Sequence, residues 1–237
     1  MDAWREDHLN ALLCIDSVQD LFSLITKIAG SMGFEYCAYG IQMPVPISRP
    51  KVEMFNNYSE QWKKRYSECG YLQIDPTVRH ALKSTLPVLW SNQLFESAHE
   101  MWEDAHDHGL RFGWAQPSRD PSGAVGLLTL ARSSDQLTSS ELSAHQAQMC
   151  WLTQYTHAAM SRLLTPELVP EIKATITARE KEVLCWTAEG KTAYEIAQIL
   201  SVTERTVNFH INNVIAKLGT SNKTQAAVKA ATLGMLI

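Results

Sequence analysis

No stretch of the chain comes near the roughly 18 consecutive apolar residues of a membrane-crossing helix. Its opening, MDAWREDHLN, is acidic and aromatic where a secretory leader would be basic and then apolar. These absences predict a cytoplasmic chain with no membrane partner. Cysteine is sparse: Cys14, Cys37, Cys69, Cys150 and Cys185 are odd in number, widely scattered and never arranged C-x-x-C. That spacing argues against a disulfide framework and a zinc site, leaving small buried hydrophobes. There is no internal repeat and no low-complexity tract. A Ser-His-Asp or Cys-His arrangement around a recognisable nucleophile is missing too, so nothing predicts an enzyme.

What is present is enough for two ordinary domains: 237 residues, 45% hydrophobic. The net charge of −4 is unevenly spread. Residues 174–237 carry 7 Lys/Arg against 5 Asp/Glu, whereas everything before them nets −6. A mildly basic tail behind an acidic front is the asymmetry of a reader domain attached to a sensor. Between them, TPELVPEIKAT (165–175) places two prolines after a long helical segment, which predicts a linker at 166–173 between domains 1–165 and 174–237.

The front domain mixes periods. Residues 17–32 read as a helix stopped at Gly33, FEYCAYGIQM as a strand, SEQWKKRYSE and DPTVRHALKS as helices, and PVLW as a short strand. SAHEMWEDAHDHG is helical, FGWAQPSRDPSGAVGLLTLARSS reads as a hairpin turning at DPSG, and residues 138–164 form a long helix opened by a capping box of Thr138 with Glu141. The expected class is α+β, an α-β-α sandwich around a central antiparallel sheet, followed by an all-α helix-turn-helix domain of four helices.

In that tail, Thr177 with Glu180, Thr192 with Glu195 and Asn222 with Gln225 have capping-box spacing, Thr203 caps another helix, and Gly190, Gly219 and Gly234 sit where helices stop. The predicted helices are 177–189, 192–200, 203–218 and 222–234. Only SVT separates the second from the third, a helix-turn-helix spacing. The third helix carries Val207, Ile211, Val214, Ile215 and Leu218 on one stripe; opposite them stand Arg205, Asn208, Phe209, Asn212, Asn213 and Ala216, a face without an acid. Asn pairs with adenine, Arg with guanine or phosphate, and Phe can touch a thymine methyl. Candidate contacts to double-stranded DNA are therefore Arg205, Asn208, Phe209 and Asn212, with Thr203 and Thr206 in the first turn and Lys191, Thr192, Lys217 and Lys223 as phosphate clamps. The alternative is an ordinary surface helix with one stray apolar residue. The segment ITAREKEVLCWTAEGKTAYEIAQILSVTERTVNFHINNVIAKLGTSNKTQAAVKA closely resembles the LuxR-type DNA-binding domain, with Glu180, Leu184 and Gly190 at characteristic places.

The front domain lacks the alternating strand-helix units of a phosphorylated receiver. It concentrates aromatics around one acid: Tyr58, Trp62, Tyr66, Tyr71, Asp75, Trp90, Trp102 and Trp114. Such a cluster suits a ligand with an oily chain and a polar head; the same residues would also serve as core aromatics, with Asp75 capping a helix begun by Pro76. NNYSEQWKKRYSECGYLQIDPTVRHAL, followed by VLW and RFGW, resembles the acyl-homoserine-lactone-binding domain of LuxR-type quorum-sensing receptors, with Trp62, Tyr66, Asp75, Pro76, Trp90 and Gly113 matching. That resemblance implies an N-acyl homoserine lactone as autoinducer and no cofactor. Trp90 would donate to the lactone carbonyl, Asp75 would accept from the amide N–H, and Tyr58 would donate to the acyl carbonyl. Trp62, Tyr66, Trp102 and Gly113 would shape the walls; Ala38 and Thr129 stand where some relatives carry Ser. It further implies a ligand-dependent regulator; because one short helix recognises few bases, a homodimer on dyad-symmetric DNA is expected, with helix 138–164 and Ala227, Ala230, Ala231 and Leu233 as candidate dimer surfaces or, alternatively, packed within their own domains. A metal reading of His106 and His108 near Glu103 and Asp104 fails on spacing.

Overall fold

The computed structural model describes residues 11–236. They divide into two compact units: one takes in the described residues up to Gln42 with Val52–Asp120 and Val125–Leu164, the other Met43–Lys51, Pro121–Ala124 and the residues from Thr165 onward.

In the first unit, helix α1 (Val18–Ser31) starts on Ser17, whose hydroxyl accepts from the Asp20 N–H. Strands β1 (Tyr36–Gln42), β2 (Val52–Asn56), β3 (Val88–Leu89), β4 (Phe112–Arg119) and β5 (Val125–Arg132) form one antiparallel sheet in the order β2-β1-β5-β4-β3. The β4–β5 pair is the hairpin expected around DPSG. Strand β2 was not expected: it is a half-exposed edge strand whose VEMFN places an acid and an Asn among three apolar residues, so no clean alternation marks it.

Alternation along β1 gives the sheet two different faces. Cys37, Tyr39 and Ile41 are buried on one side, where Tyr39 Oη lies 2.8 Å from His157 Nδ1 of helix α5 (Ser139–Leu168). On the other side lie Ala38, Gly40 and Gln42, beneath helices α2 (Glu60–Glu68), α3 (Pro76–Ala81) and α4 (His99–Asp107). Helix α5 outruns the expected stop at 164. Pro166 lies inside its last turn, where a missing N–H costs only one intrahelical bond. The capping box at its start is incomplete, because the Glu141 carboxylate is drawn to the Arg132 guanidinium at 2.7 and 2.8 Å while Thr138 alone receives the Glu141 N–H.

In the second unit, α6 (Ala178–Ala188), α7 (Ala193–Leu200), α8 (Glu204–Lys217) and α9 (Lys223–Thr232) start on Thr177, Thr192, Thr203 and Asn222. The boxes at Thr177 and Thr192 are reciprocal, whereas Gln225 turns its amide oxygen to the Ser221 N–H. Val183, Ile196, Ala197, Val207 and Ile211 make one core cluster; Leu184, Val214, Leu218, Ala226, Ala227 and Ala230 make the other. Ala227, Ala230 and Leu233, expected on a dimer surface, are buried inside this unit, and of that group Ala231 alone is exposed. Lys217 Nζ sits 2.6 Å from the buried Glu180 carboxylate and 2.9 Å from the Thr175 carbonyl.

Candidate functional site

Between the sheet face that carries Ala38 and Gly40 and the helices α2 and α3 lies a cavity of about 590 Å³, within the range of small-molecule sites. Of the expected site residues, Tyr58, Trp62, Tyr66, Asp75, Trp90, Ala38 and Thr129 line it. Ala38 and Thr129 are register partners on β1 and β5, so they meet on the cavity floor. Trp102 and Gly113 do not reach the lining; both stand behind Trp90.

Asp75 caps a helix and also lines the cavity. As N-cap of α3 its Oδ1 accepts from the Thr77 N–H at 2.8 Å and the Thr77 hydroxyl at 2.6 Å, while Oδ2 accepts from the Tyr66 hydroxyl at 3.0 Å. One oxygen is committed to the helix start; the other keeps a lone pair directed at one neighbour and has acceptor capacity to spare. Burial pushes the carboxyl above its ordinary range, and the bonds from Thr77 and Tyr66 pull back against that rise. Burial likewise raises the Tyr58 and Tyr66 phenols, which remain neutral donors.

Trp90 is held by its backbone N–H to the Gly113 carbonyl at 2.9 Å, and its ring lies flat on Gly113, where an added Cβ would come within 2.2 Å of Trp90 Cδ2. Only glycine leaves room there. Phe95 and Trp102, stacked at 4.3 Å, meet the ring edge-on. The Trp102 indole is satisfied by Asn92 Oδ1 at 2.9 Å, whereas the Trp90 indole N–H is buried with no hydrogen-bond partner among the described residues. A buried donor left unpaired costs about 1–3 kcal/mol, so an acceptor on a bound molecule would be favoured there. A buried carboxylate and an indole N–H in a largely apolar wall can bind a neutral molecule bearing both an acceptor and a donor, with an apolar remainder. Sequence reasoning overlooked Gly40, Met54, Leu127 and Met101 in the lining; alternation along β1 and β5 was the signal that could have found the floor residues.

His106 and His108 bond back to the carbonyls of Trp102 and Asp104, each at 2.8 Å, and Asp104 is taken up by Arg65 and the Tyr71 hydroxyl. Among the described residues no group of three or more His, Cys, Asp and Glu is arranged to hold a metal.

In the second unit, Arg205, Asn208, Phe209 and Asn212 are exposed on α8, opposite the buried Val207, Ile211 and Val214; Asn213 is half-buried. Phe209 is 59% exposed, in a helix whose other large apolar residues face inward. Thr203 and Thr206 bond one another in the first turn, and Thr192 is tied to Glu195. Lys191, Arg205 and Lys223 carry no ion pair among the described residues. Lys217, expected as a phosphate clamp, is instead spent on Glu180 and Thr175. Tyr194 on α7, which sequence reasoning passed over, is 62% exposed.

Two family models match the chain: "autoinducer binding domain" over residues 17–160 and "bacterial regulatory proteins, luxR family" over residues 174–230. The transcriptional activator protein AnoR of Acinetobacter nosocomialis is 47% identical over 238 residues, all of both chains. SolR of Ralstonia nicotianae, also a transcriptional activator protein, is 48% identical over 231 residues, 98% of each. This chain belongs to the LuxR family of transcriptional regulators. Like other members it pairs an autoinducer-binding domain, which takes a small molecule, with a helix-turn-helix domain for DNA, and the family consists of regulators and not of enzymes. A solved structure of SdiA in complex with octanoyl-rac-glycerol is similar at a TM-score of 0.87 and 36% identity, covering 100% of this chain and 97% of that one. Among the described residues no helix is long and apolar enough to cross a membrane.

Proposed function

We propose that the regulator's ligand is an N-acyl homoserine lactone held in the 590 Å³ cavity. The observation that carries this reading is a Trp90 indole with no partner among the described residues and a buried Asp75 carboxylate, both lining one cavity. The lactone carbonyl takes the Trp90 N–H, the amide N–H goes to Asp75 Oδ2, the acyl carbonyl accepts from the Tyr58 hydroxyl, and the chain runs over the apolar floor. The ligand's N–H and both its carbonyls then have partners once buried. Trp62 and Tyr66 wall the head group, Ala38 and Thr129 floor it, and Trp102 and Gly113 fix the Trp90 ring. No cofactor takes part.

Residues 1–165 serve as the ligand domain and 174–237 as the DNA domain, with 166–173 joining them. The protein acts in the cytoplasm as a homodimer on a dyad-symmetric site, because one short helix reads few base pairs and a two-fold pair doubles them. Asn208, Asn212, Arg205 and Phe209 read base edges; Lys191, Thr192, Thr203, Thr206 and Lys223 contact phosphates, and Lys217 supports that surface through Glu180. Ligand binding stabilises the folded state by RT ln(1 + [L]/Kd), about 2.7 kcal/mol at a hundredfold excess over Kd. Incubating the purified full chain with labelled N-acyl homoserine lactone tests the assignment: the lactone should remain bound through gel filtration and return chemically unchanged. A hydrolysed product would point to an enzyme, and no retention would remove the lactone assignment. An acyl glycerol, the kind of ligand in the SdiA complex, offers a carbonyl to Trp90 and a hydroxyl to Asp75 but no amide. It should compete weakly.

A further inference from the structure

The cavity floor is graded along β1. Ala38, Gly40 and Gln42 face it in succession, paired across β5 with Thr129, Leu127 and Val125. Trp90 is stacked at the Gly113 end, and Gly113 is the register partner of Ala131, two residues beyond Thr129. The polar recognition groups therefore gather at the Ala38 end, and from Gly40 onward the floor is Leu127, beside Gly40, then Val125 and Gln42. That far end is not sealed: Leu82, whose carbonyl accepts from Arg119, the partner of Val125, lines the cavity and is 46% exposed, and Met54, level with Gly40 on β2, is 47% exposed.

Gly40 is the narrow element of this floor. A Cβ built on it would meet nothing nearer than Met54 Cγ at 3.8 Å, ordinary contact, and its backbone is not in the left-handed region. Neither packing nor conformation demands glycine, so the missing side chain leaves free space, and on this face of the strand that space belongs to the cavity.

Resting on the lactone reading above, we infer that Gly40 sets acyl-chain length, and that the regulator selects a long chain, of about ten carbons or more, that passes Gly40 and Met54 and ends near Leu82. Two residues of strand span about 7 Å and four about 13 Å, while a carbon zigzag of ~1.5 Å bonds at near-tetrahedral angles advances about 1.3 Å per carbon. A chain entering over Ala38 reaches Gly40 at about its fifth carbon and Gln42 at about its tenth. Each buried methylene strengthens binding about fourfold, so a chain that stops short of Gly40 forfeits much of the available affinity.

Titration of the full chain with N-butanoyl- and N-dodecanoyl-homoserine lactone tests this, comparing wild type with Gly40→Leu and Gly40→Ala. Wild type should bind the dodecanoyl compound on the order of a hundredfold or more tighter than the butanoyl one. Gly40→Leu should erase most of that advantage and leave butanoyl affinity within about twofold, and Gly40→Ala should fall between. Thermal melting checks that each variant folds; should Gly40→Leu fail, the graded loss in Gly40→Ala, about fourfold on dodecanoyl alone, still decides. Equal wild-type affinity for both lactones, or equal loss of both in the variants, would overturn the length assignment and spare the head-group reading. Failure of wild type to bind either would overturn that reading, and this one with it.

Discussion

Replacing Trp90 by Phe keeps an aromatic ring on Gly113 and removes a buried donor that has no partner among the described residues. In the liganded state the lactone carbonyl is then buried without a partner, a cost of about 1–3 kcal/mol, or about 5- to 150-fold in Kd. At a ligand concentration a hundredfold above the wild-type Kd, a 50-fold weakening drops ligand-induced stabilisation from about 2.7 to about 0.6 kcal/mol. For a ligand domain of this size that corresponds to a thermal shift falling from about 8 °C to about 2 °C. Without ligand the melting temperature should move little: relief of the unpaired N–H opposes the packing lost against Phe95 and Trp102. Melting curves with and without N-acyl homoserine lactone, and a direct titration of each protein, give both numbers. An unchanged Kd together with an undiminished thermal shift would refute the assignment of Trp90 as the ligand's donor.

Gly113→Ala places a methyl within 2.2 Å of Trp90 Cδ2 and should displace the ring, costing about 1–3 kcal/mol of stability and abolishing ligand-induced stabilisation in the same melts. Asp75→Asn should weaken lactone binding and also change the ligand-free pH profile. Burial holds the Asp75 carboxyl above 3.8, so stability is fully present below that unfolded value and declines as pH rises through the folded one; the Asn variant should lack this decline, and parallel profiles would contradict it. Glu180 behaves with the opposite sign: burial would raise its carboxyl, but Lys217 and Thr177 hold it below 4.5, so the pair stabilises above that value and is lost as pH falls. Glu180→Gln should cost about 1–3 kcal/mol at neutral pH, discounted because Lys217 is a third exposed, a penalty that denaturant melts should find vanishing in acid. On DNA, Asn212→Ala should lose about 1–3 kcal/mol of discrimination, while Lys223→Ala should weaken all sequences alike and reduce the salt slope by about 1.

The tail domain was almost wholly legible because its stops and starts are local chemistry. Thr177, Thr192, Thr203 and Asn222 each accept an N–H three residues on, and the stripe on α8 alone separates an inner face from an outer one. The sheet of the front domain was legible where turn residues bounded it, and illegible at β2, an edge strand that buries too little to need alternation. The cavity was visible as a set of residue types but not as a surface. Trp102 and Trp90 read alike in sequence; only the structure shows that Asn92 satisfies one indole while the other has no partner among the described residues. Lys217 misled for the same reason, since its partner Glu180 lies 37 residues away. Gly40 carries no side chain to attract notice, and its meaning comes from which face of the sheet it occupies.

The most direct test is the ¹⁵N–¹H resonance of the Trp90 indole, assigned by its disappearance in Trp90→Phe, followed as N-acyl homoserine lactone is added to the full-length protein. Ligand should shift that proton strongly downfield in proportion to occupancy, as a donor without an acceptor gains one. A saturated protein whose Trp90 indole signal had not moved would contradict the account.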